Sequence, residues 1–249
     1  MSLQNFSEFK TDNEFSRLDS EYFKKENLSF EKKIKSANFD TLENITQIIS
    51  GKTPKYDLDG SIPVIRSGEL NYKWLDESCL LKVNNTKDLF YLKKGDIMIS
   101  SIGFGSIGKV DIFFRGDKFA TVSEVTVLRK SNINPYFLAE YLTTKYGQSF
   151  INKYITGATG QLHLNKSSIK NILVPIYSPN FQKKVEILVT TAFSNLEKSR
   201  TLYYLAENLL SIAIGLSSER LNAESFNVKS FKNSFIKTYI SSASNCGRR

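Results

Sequence analysis

Apolar residues recur along this chain with two different periods, and the change between them divides it. From residue 41 to residue 132 short β-branched runs dominate: Ile62 to Ile65, Ile97 to Ile99, Val110 to Phe114 and Thr121 to Leu128. Turn signals separate them, among them Asp59-Gly60, Lys94-Gly95-Asp96 and Arg115-Gly116-Asp117. Such alternation of short apolar runs and glycine-bearing turns predicts strands joined by tight connections. Val125 and Val127 alternate with Thr126 and Leu128, which leaves no fully polar face, so this strand is expected to be buried on both sides. At Asn134-Pro135 the pattern predicts a helix start, because Asn caps free N–H groups and proline suits the first helical position. Phe137, Leu138, Tyr141 and Leu142 would form its apolar face, and Gly147 is expected to end or interrupt it. A glycine-bearing loop, Thr156 to Gly160, and a further apolar strand, Ile172 to Ile176, follow.

After Ser178-Pro179 the period lengthens and runs unbroken to about Ile214, before Gly215. Val185, Val189, Ala192, Leu196, Ser199, Tyr203, Ala206, Leu210 and Ala213 alternate in steps of four and three, a heptad seam with one polar position at Ser199. About 35 residues at 1.5 Å rise make a helix of roughly 50 Å. Its stripe is expected to meet a second copy of itself as an antiparallel two-fold pair, with small residues at Ala192, Ser199 and Ala206 permitting close approach; packing on its own domain or on a different subunit is the alternative. The expected fold is α+β: a twisted, mainly antiparallel sheet with short helices, then a long coiled-coil-forming helix. The expected divisions are an N-terminal arm over 1–40, a strand-rich domain over 41–178, the long helix over 179–215 and a tail over 216–249. In that tail Phe226, Asn233 and Phe235 repeat the spacing of Phe6, Asn13 and Phe15.

Composition narrows the partner. Hydrophobic residues make up 41% and charged residues 24% of the chain, an ordinary balance for a domain with a real core. The two cysteines, Cys79 and Cys246, match no metal-ligand spacing and suit a reducing cytoplasm. No secretory h-region opens the chain and no apolar run is long enough to span a membrane. The net charge is +9, and eight basic residues against one acid, Glu140, fall between Arg129 and Lys184. So one-sided a segment suits a polyanion.

Candidate chemistry is sparse. Gly103-Phe104-Gly105-Ser106-Ile107-Gly108 has the spacing of a dinucleotide fingerprint, but Lys109 to Phe114 reads as a strand where a helix is required. A glycine-rich hairpin is the better reading. His163 is the only histidine, Glu124-Val125 is followed by Thr126 where a nuclease would want lysine, and no metal-ligand cluster or cofactor site is expected. Three regions combine glycine with hydrogen-bonding side chains and are the candidate DNA contacts: Lys52, Thr53, Lys55 and Tyr56 with Arg66; Ser101, Phe104, Ser106 and Lys109; and Thr156, Thr159, Gln161, His163 and Lys166, with Asn165 among them. Gln and Asn pair bidentately with adenine, and Lys meets guanine or phosphate. Any one of these side chains can equally satisfy its own backbone, His163 above all.

The run T-G-A-T-G-Q-x-H-L-N-K-x-x-I-x-x-I-x-V-P-I, Thr156 to Ile176, resembles the end of a target-recognition domain in specificity subunits of type I restriction–modification systems. Gly51-Lys52-Thr53-Pro54 with Gly60 to Ile65 resembles the entry to the same domain, Leu92 to Ile97 its central strand, and Arg17-Leu18-Asp19-Ser20-Glu21-Tyr22 the motif that opens each repeat. The long helix sits where that family places a spacer. The resemblance implies a non-catalytic DNA-binding subunit, with double-stranded DNA, methyltransferase subunits and a restriction/translocase subunit as partners. Those subunits would bring S-adenosylmethionine and ATP. Family members usually carry two recognition domains and two spacers, so this chain, with one of each, is expected to be a half-subunit or a fragment and to act as a homodimer. A stand-alone nucleic-acid-modifying enzyme and a coiled-coil scaffold without DNA binding are the alternatives the residues leave open.

Overall fold

The computed structural model describes residues 22–56, 59–70, 75, 80–84, 88–157 and 162–215. The expected arm before residue 22, the repeat-opening motif up to Glu21 and the tail after residue 215 lie outside the described residues. The chain divides into two compact units, Met1–Thr190 and Thr191–Arg249.

The first unit begins with helix α1 (Lys25–Lys35), then β1 (Phe39–Thr41), the single turn α2 (Leu42–Ile45), β2 (Gln47–Ser50), β3 (Ile62–Ile65), β4 (Lys82–Val83), β5 (Ile97–Ser100), β6 (Val110–Ile112), β7 (Ala120–Thr121) and β8 (Val125–Arg129). Helices α3 (Pro135–Thr143), α4 (Lys145–Tyr154) and α5 (Lys166–Lys170) follow, then β9 (Leu173–Pro175) and the long helix α6 (Pro179–Ala213). The main sheet has the order β2-β8-β5-β6 and is antiparallel throughout, with Ile97 opposite Leu128 and Ile99 opposite Thr126. A second sheet, β4-β3-β7, pairs β3 with β7 in parallel, and β1 pairs antiparallel with β9.

Strand alternation explains how these layers meet. Ile97, Ile99, Val110, Ile112 and Leu128 join a core completed by Leu138, Leu142, Phe150 and Ile151 of α3 and α4. Met98, Val125 and Val127 point the other way, into a core with Val64, Ile65, Phe113 and Phe119. Successive side chains of one strand therefore serve two cores. Each such residue contributes about 1.5–3 kcal/mol by leaving water. The expectation of burial on both sides holds for β8. The run from Thr121 to Leu128 is not one strand, however. A turn closed by Val125 N–H donating to the Val122 carbonyl at 3.1 Å divides it, and its first part joins β3 instead. Ser123 and Glu124, two adjacent polar residues of the run, fill that turn.

Asn134 caps α3 as expected, its Oδ1 accepting from the N–H groups of Tyr136 at 3.0 Å and Phe137 at 3.3 Å, an arrangement worth about 1 kcal/mol. Gly147 does not end a helix. The break lies at Thr144, which closes α3 and caps α4 by accepting from Gly147 N–H at 3.3 Å. Gly147 is needed because a Cβ there would overlap the Tyr141 carbonyl where the two helices touch.

Two ion pairs fasten the layers. Arg129, at the end of β8, donates from Nε to Asp96 Oδ1 at 2.9 Å and from Nη2 to Oδ2 at 2.5 Å and the Tyr91 carbonyl at 2.8 Å. Asp96 also accepts from Lys93 N–H at 2.8 Å, and the guanidinium lies 4.9 Å from the Phe90 ring centre. Lys153 of α4, its side chain 4% exposed, donates to Glu31 of α1 at 2.6 Å beneath the ring of Tyr22. Burial alone would raise the Glu31 carboxyl, but Lys153 and Lys35 outweigh it and hold the group below its usual value.

Removing one partner of a buried pair strands the other, so Arg129→Ala should cost about 3–5 kcal/mol in urea unfolding. Glu31 has its folded pKa depressed. The stability it contributes is therefore complete above the ordinary carboxylate pKa of about 4.3 and is lost as pH falls through the lower folded value. The expected result is that Glu31→Gln flattens the acid limb of stability against pH below about 4.5; an unchanged limb would exclude the pair as its source.

Candidate nucleic-acid interface

The connections leaving β2, β3, β5 and α4 meet on one another. Beyond β2 the chain crosses the turn between β7 and β8, with Gly51 N–H donating to the Val125 carbonyl at 3.0 Å and Lys52 N–H to Thr121 at 3.3 Å. Only glycine permits that crossing, since a Cβ at Gly51 would overlap the Val122 carbonyl. Thr53 Oγ1 then meets Ser123 Oγ at 2.6 Å and lies 3.5 Å from Glu124 Oε2. Lys55 and Tyr56 follow in exposed positions.

Arg66 leaves β3 and opens a single 3-10 turn over Ser67–Glu69. Glu69 accepts from the Arg66 N–H at 2.5 Å and from its Nε at 2.7 Å, and the guanidinium's Nη2 bonds it as well. Arg66 is thus presented as one half of a pair, and the bond to Glu69 raises its already high pKa. The Tyr56 phenol lies in the same field. Burial pushes it up, Arg66 draws it back, and Glu124 and Glu69 push it further up.

The glycine loop after β5 is a chain of tight turns. Gly103, Gly105 and Gly108 have φ of 133°, 78° and 78°, values that favour residues without a Cβ. Gly108 N–H donates back to the Ser100 carbonyl at 2.8 Å, Ile107 N–H to Gly103 at 3.2 Å, and Gln148 of α4 donates to the Gly108 carbonyl at 3.1 Å. The dinucleotide reading fails here, because strand β6 follows the glycines directly. Ser101 N–H donates to the Glu124 carbonyl at 2.8 Å, and Ser101 and Ile102 run beside the last segment: Leu164 N–H donates to the Ser101 carbonyl at 2.9 Å, and Ile102 bridges His163. That segment is pinched at its neck. Thr156 N–H donates to the His163 carbonyl at 2.9 Å, and His163 N–H to Thr156 at 2.7 Å.

All three expected regions therefore come together, although not every expected side chain faces outward. Ser101 and Ser106 are buried. The Ser101 hydroxyl meets Thr126 Oγ1 at 2.6 Å, and Ser106 lies 3.4 Å from Ser100 Oγ against Gly103. They shape the loop, so their expected contact with DNA is corrected to support. Thr156 and His163 are half-buried and hold the neck through their backbones, whereas Phe104 and Lys166 are exposed and Lys109 is half-buried. Lys52 donates to Asp88 at 2.8 Å, which lowers that carboxyl. Thr159 and Gln161 lie outside the described residues. Reasoning from the sequence missed Ser123, Glu124 and Glu69. Thr53 and Ser123 are seventy positions apart, and no local pattern marks that pairing. Among the described residues no three His, Cys, Asp or Glu side chains gather as a metal would require.

The model of the type I restriction modification DNA specificity domain matches residues 34–201. The chain belongs to that family. Among solved structures, this specificity domain is similar to the S subunit of a type-I restriction-modification system from M. genitalium, with a TM-score of 0.53 and 16% identity over 69% of this chain and 43% of that one. It also aligns with the HsdS subunit from Thermoanaerobacter tengcongensis, at a TM-score of 0.45 and 15% identity over 78% of this chain and 47% of that one. At these identities the first likeness is one of fold, and the α+β architecture expected from the sequence is the one found. The chain spans less than half the length of either solved chain. Among curated proteins no match was found.

The glycine loop of the specificity domain offers a direct check on its backbone. Gly105 has open space around a Cβ, so Gly105→Ala should cost only the left-handed penalty of about 1–2 kcal/mol. Gly108→Ala should cost more, because its Cβ would also lie 2.9 Å from Ile151 Cγ2. Urea unfolding of both variants reads the difference; equal costs would mean that the loop is not pinned on α4.

Proposed function

We propose that this chain reads DNA sequence for a type I restriction–modification complex and performs no chemistry itself, leaving methylation and cleavage to methyltransferase and restriction/translocase subunits. The observation that carries the reading is the convergence of residues 52–56, 66–69, 101–109, 156–157 and 162–166 in a member of the DNA specificity domain family. Exposed Lys55 and Lys166, with Arg66, supply cations for phosphate, while Tyr56, Thr53 and Glu124 supply base-edge donors and acceptors. Phosphate contacts position a protein on the duplex and base contacts specify it. Thr159 and Gln161 belong to the same segment and remain assigned to base contact.

The long helix supports pairing of two such chains, each reading half of a bipartite site. Its stripe is not free along its whole length. Val189 is buried and Val185 lines an apolar groove with Phe137, Tyr177 and Phe181, so these two positions, expected in the dimer seam, are used by the first unit. Gln182 is held there as well, accepting from Asn134 N–H at 2.8 Å. The seam that remains runs through Ala192, Leu196, Ser199, Tyr203, Ala206 and Leu210, with Tyr203 72% and Leu210 63% exposed. An apolar stripe of this kind on a soluble chain marks an interaction surface. Among the described residues no helix is long and apolar enough to cross a membrane.

Lys166→Ala should weaken binding to all sequences and lower the slope of log affinity against log salt by about 0.9. Gln161→Ala should relax base preference by about 1–3 kcal/mol at one position. Filter binding of the full chain across salt concentrations separates the two, and alanines across all the converging segments that leave binding unchanged would overturn the assignment. Leu196→Asp with Leu210→Asp should give folded monomers by analytical ultracentrifugation, and a parent chain already monomeric at high micromolar concentration would exclude the pair.

A further inference from the structure

Phe104 is the most exposed large hydrophobic side chain among the described residues, at 84%. Single exposed apolar residues are common, but this one does not sit on a yielding loop. It lies between two left-handed glycines, Gly103 and Gly105, in a turn fastened at both ends. Gly108 N–H is tied to Ser100, Lys109 N–H to Ser106 at 3.1 Å, and the Gly108 carbonyl to Gln148 of α4. On its other side Gly103 packs against Ser106 and, at 3.5 Å from the place of a Cβ, the Ser67 hydroxyl. That network fixes the backbone of the turn, which carries the ring out into solvent. Its surroundings are polar and mixed in sign: Lys109 follows in the same loop, Arg66, paired with Glu69, precedes Ser67, and Ile102 pairs with His163 three residues before Lys166. A rigid aromatic ring in a setting of charged and hydrogen-bonding groups is matched by a nucleic-acid base, which offers an apolar face beside a phosphate.

Resting on the DNA-reading role above, we propose that Phe104 is a wedge that enters the base stack, unstacks one step and lets the cost of that distortion contribute to sequence choice. Apolar side chains inserted between base pairs bend the duplex. Steps differ in how readily they yield, so positions without a hydrogen bond acquire preference. The charged side chains around the loop then hold the backbone of the opened step.

The test uses the full chain and a duplex that it selects from a randomised pool, with 2-aminopurine placed at each adenine in turn. Wild-type protein should raise the fluorescence at one step. Phe104→Ala should abolish that rise and weaken binding roughly five- to a hundredfold, the range for loss of one base–aromatic stack, while leaving the unfolding midpoint and the salt slope unchanged. Phe104→Trp should restore the rise. A rise that survives Phe104→Ala, or no rise at any position despite tight binding, overturns the wedge and leaves the DNA-reading role standing. If Phe104→Ala instead impairs self-association with the fluorescence rise intact, the ring is a protein contact and the proposal is wrong. If no duplex is enriched or bound, both the wedge and the role beneath it fall.

Discussion

Burial of the central sheet on both faces is the constraint from which the rest of the first unit follows. Strands β5 and β8 give alternate side chains to two separate cores, one with the helices and one with the small sheet. The inner strands offer neither face to solvent, whereas the connections beyond the strand ends are open to it. Loops held by a rigid scaffold are the usual carriers of recognition. Here the scaffold gathers such loops: Gly51 crosses the β7–β8 turn, Ser101 is tied to Glu124, and Leu164 is tied to Ser101. The same bonds that end the sheet gather the loops.

Charge is arranged with similar economy. Arg129 and Lys153 carry formal charge but are committed inside the domain, to Asp96 and Glu31. Arg66 is shared with Glu69. The excess of basic residues between Arg129 and Lys184 therefore overstates the field that the surface presents. Glu124 and Glu69 stand within the converging loops, so the surface they form is mixed in sign.

Much of the fold was legible because it rests on local rules. The Asn134-Pro135 cap, the strand runs, the start of α6 and the glycine hairpin each follow from a few neighbouring residues. The misreadings were non-local. Gly147 reads as a helix end, and only the contact between α3 and α4 reveals that it is there for want of a side chain. The run from Thr121 to Leu128 reads as one strand, and only the separate pairing of β7 with β3 shows the break. Ser101 and Ser106 read as donors for a ligand because their hydroxyls are polar, yet burial commits them to internal partners. The heptad of α6 was visible in full, but which of its positions the first unit takes, Val185 and Val189 among them, depends on packing that periodicity does not encode. For the candidate site, glycine marked segments that the fold brings together, but it could not distinguish side chains that face out from those that hold the frame.

The closed neck at Thr156 and His163 has a further consequence, for how such a protein changes over time. Its two main-chain bonds do not depend on side-chain identity, and only a third, from the Thr156 hydroxyl to the His163 carbonyl at 3.3 Å, does. The two anchor positions can therefore exchange side chains and keep both main-chain bonds, losing at most the hydroxyl's. A lineage that drifts at either anchor meets little mechanical obstacle there. Novelty there costs little stability, so drift and selection are both free to explore it.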